Sequence, residues 1–126
     1  MTYPRSFLRC AMLALLLLSS CSANATPAPT LTTFEQLGQS VFNLRCAQCH
    51  ALVPDTVIIG PSLSELATRA GSRVPGMDAA KYIETSILFP KDFLVPEYTD
   101  TMPTNFGKEL TSEELEAVVT FLMTLK

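Results

Sequence analysis

A chain of 126 residues has room for one domain rather than two. Twelve acidic residues against nine basic ones give a net charge of −3, which excludes the basic footprint of a nucleic-acid binder. The hydrophobic share of 48% and mean hydropathy of +0.27 look high for a soluble domain, but much of the excess lies in the first twenty residues.

There Phe7, Leu8 and the run from Ala11 to Leu18 form a short apolar block flanked by Arg5 and Arg9 and followed by small residues. A positive flank, a short apolar run and a small-residue end are the parts of an export signal. The run is short for a membrane span, which needs ~20 apolar residues, so export and cleavage is favoured, with an uncleaved anchor helix as the alternative. Two processing sites compete. Leu18-Ser19-Ser20-Cys21 resembles a lipobox, in which the cysteine becomes the lipidated first residue, and Ala23-Asn24-Ala25 resembles an ordinary signal-peptidase site. Lipidation is favoured because it gives Cys21 a use, and exported proteins seldom keep an idle thiol. Residues 1–20 then read as a signal peptide, and the product lies outside the cytoplasm, held at a membrane by its lipid. Loss of Arg5 and Arg9 leaves seven basic residues against twelve acidic ones, a net charge of −5. Residues 21–33, with Pro27 and Pro29 among Ala, Thr and Asn, lack apolar periodicity and read as an extended tether.

Residues 34–126 form the folded part. Thr33 followed by Gln36 has the pattern of a capping box, and Phe34, Leu37, Val41 and Leu44 recur at helical spacing as one apolar face. Gly38 interrupts this helix at a cost of ~1 kcal/mol relative to alanine, which points to a backbone crossing nearby. Helices are predicted over 64–70 and 78–88, separated by breaks at Gly60-Pro61, Gly71 and Val74-Pro75-Gly76. Pro90, Pro96 and Met102-Pro103 mark an irregular stretch. Thr111 and Glu114 make a second capping box, after which Leu115, Val118, Val119, Leu122 and Leu125 carry a helix to the C-terminus, with Phe121 bordering the stripe. No segment alternates with a period of two, so the fold is all-α with substantial loops.

Roughly ninety residues make a thin core, and loop-rich domains of this size often complete it with a cofactor, metal or disulfide. Cys46-Ala47-Gln48-Cys49-His50 supplies an attachment point: C-x-x-C-H is the signature of covalently bound c-type haem. Two thiols three positions apart on a helical turn reach the two vinyl groups on one side of a porphyrin, and the next residue presents its imidazole to the iron. Three other readings of the cysteines are weaker. A thiol–disulfide module of the thioredoxin type wants a βαβ context, zinc wants roughly four ligands, and a structural disulfide across two residues is a tight loop. His50 is the only histidine, so ligation by two histidines of this chain is excluded, and a methionine, the usual partner in electron-transfer cytochromes, is the expected second ligand to iron. Met102, in the irregular stretch, is preferred over Met77 at a helix start; Met123 reads as core packing.

In the order of these motifs, 34–126 resembles the class I, monohaem cytochromes c. The likeness rests on Gly38 and Phe42 ahead of the attachment motif, Gly60-Pro61-Ser62-Leu63 after it, and Met102-Pro103 before a final helix containing Phe121. It implies that the first and last helices cross at Gly38 with Phe42 and Phe121 near the crossing. It also implies one haem c held by Cys46, Cys49, His50, Pro61 and Met102, with His50 and Met102 as iron ligands and the Pro61 carbonyl accepting the His50 ring N–H. Asn105 has two readings, a hydrogen bond near the Met102 sulfur or a polar surface position. More narrowly, 67–76 and Tyr82-Ile83 resemble the lipid-anchored monohaem subunit of alternative complex III and the cytochrome c domain of haem–copper oxidase subunit II. Arg73 or Tyr82 is then either a partner of a haem carboxylate or surface. The implied function is one-electron transfer to redox protein partners at a membrane respiratory complex, with no substrate transformed. A soluble periplasmic shuttle, a gas sensor, a haem enzyme and a haem-free thiol module are the alternatives.

Overall fold

The computed structural model describes residues 30–126; the expected signal segment, the lipidation residue Cys21, the competing site ending at Ala25 and most of the tether lie outside them. The described chain is helical: α1 (Thr33–Arg45), α2 (Leu66–Ala70), α3 (Ala79–Leu88), α4 (Phe106–Glu109) and α5 (Ser112–Leu122). Among the described residues the only extended pairing is an isolated antiparallel bridge between His50 and Val57. No described helix is long and apolar enough to cross a membrane.

Helix α1 starts one residue earlier than its sequence pattern indicates. Thr32, not Thr33, is the cap: its hydroxyl accepts from the Glu35 N–H, and the Glu35 carboxylate accepts from the Thr32 N–H at 2.6 Å. Both Thr32 and Thr33 fit the motif, and Glu35 decides because its carboxylate binds a backbone N–H more strongly than the neutral amide of Gln36. The buried face is displaced too. Gly38, Val41 and Phe42 point inward, whereas Leu37 and Leu44 are 36% and 67% exposed.

That displacement follows from the packing of α1 on α5, the dominant helix pair. A Cβ on Gly38 would lie 1.9 Å from the carbonyl oxygen of Ala117, so the helices meet backbone to backbone there. Phe42 and Phe121 stack beside the crossing with centroids 5.7 Å apart and planes inclined at 49°. Ala117, Val118, Phe121 and Leu122 form the buried face of α5, so Phe121 sits in the core rather than at the edge of a stripe. Thr111 and Glu114 form the expected capping box. Met123 caps the C-terminal end of α5 and packs, half-buried, on the core.

Helix α3 is capped by Asp78, whose carboxylate accepts from the Lys81 N–H at 2.8 Å, and its buried residues Tyr82, Ile83 and Ile87 share one face. The segment 64–70 is helical only from Leu66, because Glu65 before it adopts φ +53°, a left-handed conformation. The single turn α4, which buries Phe106, has too few residues to show a period in sequence.

Candidate functional site

Helix α1 ends where the chemistry begins. The Cys46 N–H donates to the Phe42 carbonyl, closing the helix, and the N–H groups of Cys49 and His50 both donate back to the Cys46 carbonyl at 3.0 Å. The motif is thereby wound into tight turns that hold Cys46, Cys49 and His50 on one side of the chain. Past the loop that follows, the N–H groups of Ile59 and Gly60 donate to the Cys49 carbonyl at 3.2 and 2.9 Å. This brings Gly60-Pro61 under the histidine.

Two consequences follow for the imidazole. His50 Nδ1 lies 2.8 Å from the Pro61 carbonyl oxygen. A carbonyl only accepts, so Nδ1 carries a proton, and in the neutral imidazole the lone pair of Nε2 is left free to bind a metal. The ring also rests directly on Gly60, where a Cβ would come within 2.5 Å of His50 Cε1. Orientation and tautomer are both set by the chain.

His50, Cys46, Cys49, Pro61 and Met102 line one cavity of about 710 Å³, enclosed by the turns of 46–50, the segment 54–66, α3 and the irregular stretch 90–103. The volume lies in the ~300–1,000 Å³ range of cofactor and ligand sites. Its walls include buried Leu66, Ile83, Ile87 and Phe106, the apolar lining that a flat aromatic macrocycle requires. Met77 does not line the cavity and packs on the core.

The wall is mostly apolar but also carries polar side chains, several of them on the segment 54–66. Arg69 is half-buried, donates to the Ser62 carbonyl and forms no ion pair among the described residues. Exposed Arg73 and buried Tyr82 also line the cavity. An unmatched guanidinium on a mostly apolar wall fits a group that is apolar in its body and carboxylated at its margin. Arg69 stands out only in three dimensions, because in sequence a lone arginine on a five-residue helix is indistinguishable from a solvated charge. The side-chain amide of Asn105 donates to Glu109 of α4.

Cys46 and Cys49 are free, half-buried thiols. Burial, and to a lesser degree the neighbouring Cys49, pushes the Cys46 thiol up to about 11. A thiol–disulfide catalyst needs the opposite shift in its attacking thiol, toward a thiolate at neutral pH, so Cys46 is poorly suited to that role. No three His, Cys, Asp or Glu side chains among the described residues converge to hold an ion by themselves.

The profile of the Cytochrome c family matches residues 35–126, nearly the whole described domain. The chain belongs to the cytochrome c family. Comparison with curated proteins gives no match. Membership brings covalent haem c, with Cys46 and Cys49 at the spacing of its attachment motif, and electron transfer with redox partners as the family's work. The all-α architecture is that of a class I cytochrome c domain.

Proposed function

We propose that the protein is a one-electron carrier in which His50 Nε2 and the Met102 thioether would be the two protein ligands of the haem iron. When bound, the haem supplies the Fe(III)/Fe(II) couple, and the chain does the rest. Cys46 and Cys49 hold it through thioether bonds. The Pro61 carbonyl, accepting from Nδ1, makes His50 a better donor and fixes its orientation. Met102 favours the reduced state and raises the potential. The apolar cavity excludes water, so little solvent reorganises with each transfer. Arg69 stands as counter-charge to the haem carboxylates. The observation that carries this reading is the His50–Pro61 hydrogen bond, which engages Nδ1 and leaves Nε2 as the ring nitrogen available to a metal, in a residue that lines the same cavity as Met102.

The same reading places the domain outside the cytoplasm, tethered through lipidated Cys21 and delivering electrons within a membrane respiratory complex of the alternative complex III or terminal oxidase kind. Its support is the apolar block before Leu18-Ser19-Ser20-Cys21 and the likeness of 67–76 and Tyr82-Ile83 to those groups.

Optical spectroscopy and potentiometry of haem-loaded variants test the ligand assignment. Met102→Ala abolishes the weak far-red band of a methionine–ferric bond and lowers the midpoint potential, whereas Met77→Ala leaves both unchanged; the reverse pattern moves the ligand to Met77. Arg69→Gln, removing a cation that favours the reduced state, lowers the potential, and Arg69→Lys restores most of it. Rapid uptake of carbon monoxide by the reduced wild type would instead favour a sensor or a haem enzyme.

A further inference from the structure

We infer that the loop 53–59 is the docking surface for the redox partner, and that the partner is a protein with an apolar face rimmed by lysine or arginine. The inference rests on the electron-carrier reading above.

Val53, Val57, Ile58 and Ile59 are 61%, 62%, 50% and 56% exposed within seven consecutive residues. Scattered apolar residues on a surface are ordinary, but a contiguous group marks an interaction site. Val57 and Ile59 also line the cavity and are partly covered once it is filled. Val53 and Ile58 do not line it, so filling the cavity leaves them facing solvent.

The loop is held in place. Ser62 Oγ donates to the Val53 carbonyl at 2.7 Å, the bridge to His50 fixes Val57, and the Cys49 carbonyl accepts from both Ile59 and Gly60. These anchors make the patch continuous with Cys49 and His50. A partner seated there lies beside the residues that hold the haem, where a short electron path exists.

Charge identifies the occupant. Between Arg45 and Arg69 the chain has no lysine or arginine, and with His50 neutral its only charges are Asp55, in the middle of the patch, and Glu65. Arg45, the nearest cation upstream, is paired with Glu109 at 3.5 Å. An apolar patch with only acidic charge in its segment complements a basic rim, repels a second copy of itself, and is repelled by anionic lipid.

The test uses the haem-loaded protein with native membranes of its source organism as partner. Electron transfer with the membranes is measured beside oxidation by hexacyanoferrate(III), a small hydrophilic anion. Val53→Ser/Ile58→Ser should lower the membrane-supported rate at least tenfold while leaving the midpoint potential and the hexacyanoferrate rate unchanged. The wild-type rate should fall as salt is added, and Asp55→Lys should flatten that dependence. A membrane-supported rate within twofold of wild type in the serine variant overturns the proposal, as does a rate that rises with salt. Concentration-dependent dimerisation abolished by the same substitutions assigns the patch to a second copy and also overturns it. All of these outcomes leave the electron-carrier reading standing; a wild-type protein without haem overturns both.

Discussion

Gly60 lies so close beneath His50 that a single methyl group added there would come within 2.5 Å of the imidazole Cε1 and 2.9 Å of Nδ1. The hydrogen bond from His50 to Pro61 is therefore built on a residue that cannot carry a side chain. Gly60→Ala must displace either the ring or the 59–61 backbone. The expected result is a haem-loaded protein with a raised midpoint potential, because a weakened hydrogen bond leaves His50 a poorer donor to ferric iron, and a stability loss of about 1–3 kcal/mol, the usual cost of overpacking. For a domain of this size that is a fall in Tm of roughly 4–8 °C per kcal/mol. An unchanged potential would mean that the 2.8 Å hydrogen bond does not tune the iron.

The crossing of α1 and α5 makes a second close approach. At Gly38 a Cβ would meet the Ala117 carbonyl at 1.9 Å, and the obstacle is backbone, which cannot rotate away. Gly38→Ala is expected to destabilise by about 1–3 kcal/mol or more, even though alanine is the better helix former by ~1 kcal/mol. Leu37→Ala, one position away and 36% exposed, should cost much less. Thermal unfolding of the two variants checks the order; equal losses would contradict the placement of the crossing.

How legible this fold is in sequence depends on which residues speak unambiguously. Thr111 and Glu114 admit one register for α5, and that register is found. Thr32 and Thr33 admit two for α1, and the choice turns on Glu35 against Gln36. The apolar spacing of Leu37 and Leu44 indicates a face that the structure leaves in solvent, because the close approach at Gly38 rotates α1 to bury Gly38, Val41 and Phe42 instead. Periodicity reports that a helix is amphipathic, not which neighbour it meets. The C-x-x-C-H motif is local and stands out in sequence, whereas the cavity that gathers it with Met102 and Arg69 is assembled from segments up to 77 residues apart, counting from Arg45 to Leu122.

The two capping boxes carry a pH dependence. The backbone N–H of Thr32, and then its hydroxyl, hold the Glu35 carboxyl below the ordinary glutamate range; Thr111 does the same for Glu114 in the same order, with a smaller contribution from Arg45. Because both values are lowered in the folded state, the stabilisation is complete above the unfolded value of ~4.3. It is lost as pH falls through the folded values. Both carboxylates are at the surface, so the effect is modest. Tm should fall on acidification below about pH 4.3, and by less in the Glu35→Gln/Glu114→Gln variant. Parallel acid profiles for variant and wild type would show that other carboxyls dominate.

The account depends most directly on two thioether bonds, at Cys46 and Cys49. The measurement is the intact mass of the mature protein made in a host that attaches haem, together with that of Cys46→Ala/Cys49→Ala. The wild type is predicted to weigh one haem more than its polypeptide and any lipid, and to keep that mass after denaturation in acid and organic solvent, while the variant loses it. A wild-type mass equal to polypeptide plus lipid alone, in a host that loads other c-type cytochromes, would contradict the account.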